Sequence, residues 1–576
     1  MHVRYVHERS NMRNSRIFKL LILCFVSVLT ILALSSCSKG YNRSFYLEPS
    51  ATEIKFGETI TFTNKNKDVS MSYWAPKCSE GFEIQNLTSK TFSITPTKEG
   101  KLYLRFNTYS SRGETGPVSQ LIVINVKREE QTITTAEQLL MAKDASVRYV
   151  LGGDIDMSSV RSHVPFEFTG ALDGKGYSIK NFTFAPTTPA KDQNVGLWSK
   201  NTGTIENVVF ENSNVRILFE TASASVAVGL NEGTIKNVVV KGTLLAEQSN
   251  NVGAVCGINN GTVSECSSEA IVEGKQYTGG IAGVSNSAIS NSSNKGTVEG
   301  TNDVGGIVGK VTEAATITGN KNTGAVEGYL NVGGIIGSTA DGKIVQINSS
   351  ANEGEVKGNS YVGGIIGTGN AAVLFGCNNS GVINAESAYV GGIGGKIYSA
   401  RRSENMGAVN SEAKDIADKD GSFFKIYIAG IAGYAQEVSE CANRQRITVN
   451  AGNCQYIGGV AGFLDGKGTD NKLNNNFNEG KITAASTSRY VGGIIGYMKN
   501  AALRGTINEG DVLGGSLTAG IVGYSESGGL YFSTNKGIIS AKTTSDATQI
   551  CFYKDTASTT IFNNTSEGSV SSREGN

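Results

Sequence analysis

Three glutamates, Glu273, Glu299 and Glu327, each stand one residue before the glycine of a recurring Val-x-Gly step, 26 and 28 residues apart. Paired carboxylates flanking a glycosidic bond supply a general acid and a base or nucleophile when about 5–9.5 Å apart. If successive glutamates occupy neighbouring coils of β structure, about 4.8 Å apart, they form a line with spacings near those windows. Lys241 and Lys357 are expected at the matching places on the flanking coils. Repulsion inside such a line raises carboxyl pKa values, and Glu299, with acids on both sides, is expected to be raised most. The competing reading is a solvated outer face. It is preferred, because no histidine, arginine or aromatic pocket falls in the same column.

A second column is aromatic. Tyr361, Tyr389, Tyr427, Tyr456 and Tyr490 each precede a Gly-Gly phrase. Aromatic stripes serve as glycan platforms or as structural ladders. Rings one coil apart turn their faces to each other, so a sugar meets edges and hydroxyls, which favours the ladder. A third candidate is the insertion Asp415–Phe424, where Asp415, Asp418 and Asp420 accompany Phe423 and Phe424 in a contact-site composition.

Other chemistry finds little footing. Once an amino-terminal leader is removed, His163 is the one histidine left, so His-Glu-x-x-His zinc proteolysis is absent and a Ser-His-Asp triad has a single possible base. The glycine phrases precede no helix, as a phosphate loop requires, and no Asp closes them as in calcium repeats. Apart from Cys24 and Cys37, the cysteines are odd in number and form no close pair, which argues against a disulfide framework and a zinc ribbon. Cys266, Cys377 and Cys441 share one repeat position with Ser292 and read as small buried residues. No metal or cofactor is implied. With 52 basic and 51 acidic residues, the whole chain has no nucleic-acid footprint.

The elements that must position these residues come from a repeat. Val-Gly-Gly-Ile-x-Gly stands at Val304–Gly309, Val332–Gly337, Val362–Gly367, Val390–Gly395, Ile457–Gly462 and Val491–Gly496, with looser copies at Val252, Thr278, Ile428 and Thr518. About a dozen residues after most copies comes Asn-x-Gly-x-Val, as at Asn294–Val298, Asn322–Val326 and Asn352–Val356. Fixed-period similarity of this size implies a solenoid. The apolar runs are short and β-branched, without helical spacing. Glycine, 72 of 576 residues, and asparagine suit positive φ and are assigned to turns. The fold expected is all-β: a right-handed parallel β-helix in which equivalent asparagines stack as amide ladders. Ile335 is expected to point inward. The long steps Asp415–Phe424 and Asp465–Asn475 are expected to leave the coil as loops.

These phrases resemble the GLUG-motif repeats of bacterial envelope proteins. The lead-in segments Tyr149–Met157 and Phe168–Ile179 are similar to what precedes such repeats, and the resemblance covers roughly 132–568. It implies a β-helical stalk or adhesion-type region at a bacterial surface. Some relatives carry a zinc protease elsewhere in the chain; the repeats themselves are not known as catalytic.

At the amino terminus, Arg13, Arg16 and Lys19 precede an apolar run, Leu20–Leu34, and then Leu34-Ser35-Ser36-Cys37. This is the pattern of a secretory signal. The tetrapeptide resembles a lipobox, whose Cys37 is acylated and anchors the mature chain. A plain membrane anchor is the alternative, and Met12 is a second candidate start. Residues 38–128 carry short alternating strands and look like a small immunoglobulin-like β-sandwich. Residues 129–250 are assigned to a capping helix and the first coils, and 251–576 to the GLUG-type repeats. Thr134 and Glu137 form a capping box whose helix, through about Lys143, lays Leu139 and Leu140 over the first coil. Phe552, Tyr553, Ile561 and Phe562 are expected to close the last coil.

Together these readings describe an outer-membrane lipoprotein on the periplasmic face or cell surface. The expected role is a non-catalytic scaffold or adhesin-like binding protein, with a glycan or another envelope protein as the partner to be tested. A carbohydrate-active β-helix, lyase or glycosidase, is the alternative.

Overall fold

The computed structural model describes residues 47–65, 77–78, 82–88, 90–96, 99–106, 120–188, 190–412, 425–450, 452–467 and 473–573. Cys37, its preceding apolar run and the whole Asp415–Phe424 segment lie outside them. The chain divides into two compact units, with the boundary between Arg128 and Glu129. Among the described residues no helix is long and apolar enough to cross a membrane.

The first unit holds two four-stranded sheets. Leu47–Pro49, Ile60–Asn64, Thr91–Ile94 and Ile84–Gln85 form one; Glu53–Lys55, Gln120–Lys127, Gly100–Phe106 and Lys77–Cys78 form the other. Alternate residues of both sheets, among them Ile54, Phe62, Phe92, Leu102 and Ile124, share one apolar core. Phe62 and Phe92 stack within it at 4.7 Å.

The second unit is a parallel β-solenoid of about 14 turns. A representative coil has five short strands: Ser293–Asn294, Val298–Glu299, Asn302–Gly305, Val308–Val311 and Ala315–Thr318. Each pairs in register with its counterpart one coil on, as in Val304↔Val332 and Ile317↔Ile347. Ile307, Ile335, Ile365 and Ile393, the central isoleucines of the phrase, are fully buried in the main core, while Val298, Val326 and Val356 line a second, narrower one.

Between the two cores runs the amide ladder. The Nδ2 of Asn294 donates to Asn322 Oδ1 at 2.9 Å, and Asn322, Asn352, Asn379, Asn405, Asn443, Asn478 and Asn508 each donate to the next asparagine at 2.8 Å, ending on Asn535. The second hydrogen of each amide goes to the carbonyl two residues on, as Asn322 to Gly324 at 2.8 Å. A shorter ladder, Asn201–Asn231–Asn259–Ser285, serves the earlier coils from another strand.

The glycines of both phrases are there for space. Gly306 and Gly324 both lie at bends between strands, as assigned, but neither has the positive φ expected there. A Cβ on Gly306 would strike the Asn322 amide, and one on Gly324 would strike the Gly296 carbonyl of the preceding coil. The two phrases are therefore one device, in which the second glycine of Val-Gly-Gly makes room for the asparagine some fifteen residues later. Positive φ recurs at two other places: on the residue before the phrase, at Asn251, Tyr277, Asp303, Asn331, Tyr361, Tyr389, Tyr456, Tyr490 and Leu517, and at a turn held in successive coils by Asn291, Gly319, Ser349, Gly376 and Arg402.

The first coil is covered by helix Ala136–Met141. Its N-cap is Thr135, not Thr134, and the box closes through Gln138 rather than Glu137. Leu139 is buried in the solenoid core and Leu140 packs partly against it. At the far end, Cys551–Tyr553 and Thr559–Phe562 add one more coil on Val522–Ser525 and Gly528–Tyr531. Tyr553, Ile561 and Phe562 stay 44, 39 and 51% exposed, so they lengthen the stack instead of closing it. The step Asp465–Asn475 is not a loop throughout: Asp465 ends the strand Ala461–Asp465, and Leu473–Asn474 pair with Leu503–Arg504.

Candidate functional site

Glu273, Glu299 and Glu327 do lie in register on three consecutive coils, followed by Lys357, whose ammonium pairs with Glu327. Lys241 is not the lysine at the other end. It aligns with Glu269, and Leu245 stands opposite Glu273, because Val239–Ala246 pair residue for residue with Ser267–Gly274, so that Gly242 matches Ala270 and not Gly274. The carboxyl pushed above its ordinary value is that of Glu273. Partial burial is the main cause, and Glu299 and Glu247 add to it.

The five tyrosines form one continuous stack. Centroids are 4.6 Å apart for Tyr361–Tyr389, 4.5 Å for Tyr389–Tyr427, 5.1 Å for Tyr427–Tyr456 and 5.4 Å for Tyr456–Tyr490, with interplanar angles of 7, 28, 11 and 6°. Faces are turned to faces, as expected. A second column escaped the sequence reading: Tyr434, Phe463, Tyr497 and Tyr524, spaced 5.1–5.5 Å. It meets the first nearly at right angles, as in Tyr456–Tyr497 at 5.2 Å and 89°. Its signal was present, since each of these residues directly follows a Gly-Gly phrase. Where both columns run, Tyr427 and Tyr456 are only 8% exposed. Burial pushes the Tyr456 phenol up, and that of Tyr434 to about 12.

Four of the five tyrosines sit at positive φ, a region that bulky side chains avoid at a cost of about 1–3 kcal/mol. Coils outside the stack meet the same backbone with Asn251, Asp303 or Asn331, which tolerate it, but also with Tyr277 and Leu517, and Tyr427 does without it. Stacking restores about 0.5–1.5 kcal/mol per pair. The two effects are of similar size, so backbone geometry alone does not call for tyrosine here.

His163 is half-buried among Phe166, Phe182 and Phe184, with ring centroids at 5.4–6.5 Å. Burial pushes its pKa down against weaker pulls from the Gly196 and Leu197 backbones. Its nearest polar partner is the Gly196 carbonyl at 3.4 Å. Asp173 is the strongest charge centre. It accepts from Arg148 Nη2 at 3.0 Å, Lys175 Nζ at 2.9 Å and Asn207 Nδ2 at 3.0 Å, while Arg148 also reaches Glu206 at 3.2 Å. Burial opposes its ionisation, but these donors outweigh it and hold the carboxyl well below the usual range. The described cysteines of the repeat region, including Cys266, Cys377 and Cys441, are buried and unpaired in disulfides. Among the described residues no group of three metal-ligating side chains converges. Asp415, Asp418, Asp420, Phe423 and Phe424 lie outside the described residues.

No family model matches the chain. No curated protein matches it either. Among solved structures, a Bacteroides ovatus protein provisionally described as an immunoglobulin A1 protease overlaps 45% of this chain and 77% of its own at 19% identity and a TM-score of 0.33. A superposition that loose supports no argument about this chain.

Proposed function

We propose that the chain is a lipid-anchored envelope protein related to GLUG-repeat proteins, with a right-handed β-solenoid that serves as a non-catalytic scaffold and binding surface. The observation that carries this reading is where the repeated residues are used. The phrase glycines, asparagines and isoleucines all go into stacking coil on coil, and the recurrent feature left at the surface is the outer, half-buried edge of the aromatic corner, Tyr434, Phe463, Tyr497 and Tyr524. The two-sheet unit would be an immunoglobulin-like spacer near an anchor at Cys37, on the periplasmic face or cell surface. A glycan or another envelope protein would be the partner.

The in-register acids Glu273, Glu299 and Glu327 favour one competing reading, a polysaccharide lyase or glycosidase. Incubating the purified chain with a panel of polysaccharides separates the two. Retention without product release supports the scaffold. Product release that Glu299→Gln abolishes would replace it with an enzyme.

A further inference from the structure

The second aromatic column stops two coils short of the first. Column one begins at Tyr361 and runs on through Tyr389, whereas column two begins only at Tyr434. The register places Lys396 and Thr368 where its two missing rungs would stand. Tyr427 and Tyr456, flanked by the second column, are nearly covered; Tyr361 and Tyr389 have no ring beside them and remain partly exposed. Along this stretch Tyr361 and Tyr389 are flanked by the slimmer Thr368 and Lys396 in place of rings, and Tyr434 ends it. Lys396 Nζ lies in it, 5.8 Å from the Tyr389 centroid and 5.7 Å from that of Tyr434. Among the described residues it makes no ion pair, whereas Lys295, Lys321, Lys357 and Lys536 each hold a glutamate of a neighbouring coil.

We propose that this stretch, with the Lys396 side chain swung aside, binds a carboxylated sugar ring, a uronate residue of an acidic polysaccharide, as the missing rung. The assignment rests on the binding-surface reading above and names its ligand class. The fold itself shows what the space fits, since the next coils fill the same position with six-membered rings. A pyranose laid there continues the column against the face of Tyr434 that Lys396 covers, with the edges and hydroxyls of Tyr361 and Tyr389 along its side. Placing it displaces the Lys396 ammonium from both rings. A lysine on a four-carbon stem can swing and donate to a carboxylate. A neutral sugar or an uncharged aromatic ring would displace the same cation and offer it no counter-charge, and for that reason the acid is chosen.

The test is calorimetric titration of the full-length chain with oligogalacturonate and with its methyl-esterified form, which keeps the ring and removes the charge. Esterification and Lys396→Met should each weaken binding at least tenfold. Thr368→Tyr builds the missing rung from the protein's own side and should abolish binding without lowering the melting temperature. If that variant fails to fold, Tyr361→Asn, which copies the residue tolerated at Asn331, should remove binding in its place. Equal affinity for both forms, or oligogalacturonate binding indifferent to Thr368→Tyr and Tyr361→Asn, would overturn the site. So would no binding at all. Retention of another polysaccharide in that last case would leave the scaffold reading standing, while turnover of any polysaccharide would remove that reading instead.

Discussion

Asn294 donates to Asn322 at 2.9 Å, but its own Oδ1 is buried and, among the described residues, accepts no hydrogen bond. The ladder begins there because of the coil before. In register with Asn294 stands Ser268, too short to reach, and before it Val240, Phe210 and Ile179. The glycine that makes room for Asn294 is Gly280; its counterpart one coil earlier is Ala254, fully buried. Amide and glycine thus enter the chain together.

Extending the ladder should therefore need two changes. Ser268→Asn alone drives an amide into the Ala254 methyl and should cost about 1–3 kcal/mol by overpacking. Ala254→Gly with Ser268→Asn should recover that loss and gain about 1 kcal/mol by satisfying Asn294. A double-mutant cycle from denaturant titration measures the coupling. Additive effects would count against the paired role of the two phrases.

The tyrosine stack can be weighed against its backbone. Tyr456→Asn keeps a residue that tolerates positive φ and removes two stacked neighbours, Tyr427 and Tyr490. It should lower stability by about 1–3 kcal/mol. Tyr361→Asn, at the end of the stack, should lose about half as much. Equal costs at the two positions, read from thermal melts, would mean that stacking is not what holds the rings.

Anchoring is tested at Cys37. Cys37→Ala should abolish incorporation of a radioactive fatty acid in the producing cell and leave the precursor unprocessed. Normal labelling of that variant would remove the lipoprotein assignment.

What the sequence made legible follows the physics of stacking. The Asn294–Asn535 ladder and the inward Ile335 could be read because parallel register repeats one side chain per coil. Thr134 was chosen as the cap because Thr134–Glu137 and Thr135–Gln138 both satisfy the same four-residue pattern, and only packing of Leu139 decides between them. Lys241 was misplaced because Gly242 looks like the glycine after each glutamate, Gly274 among them, yet pairs with Ala270. The second aromatic column was hidden by Ser338, Thr368 and Lys396, which hold its positions on earlier coils. Gly306 was legible as a special residue, but its reason, the Asn322 amide against its Cα, depends on a contact between strands.

Acid and base should act oppositely on two carboxyls. Asp173 is held below its unfolded pKa, so the stability it supplies is present above about pH 4 and is lost as pH falls through the carboxylate range. Glu273 is raised, so its ionisation is a cost at neutral pH that disappears as pH falls below its unfolded value near 4.3. Asp173→Asn should accordingly destabilise the first coils at pH 7 by about 1.5–3 kcal/mol, since it removes charge-assisted bonds to Arg148 and Lys175, with the difference from wild type shrinking toward pH 3. Glu273→Gln should stabilise at pH 7 by less than about 1 kcal/mol, and the gain should vanish near pH 4. Hydrogen exchange resolved by coil reads both, because a stack of neighbour terms confines each effect to nearby turns. If Glu273→Gln destabilised at pH 7, the column would be holding its charge against a bound partner, and the solvated-face reading of Glu273, Glu299 and Glu327 would fall.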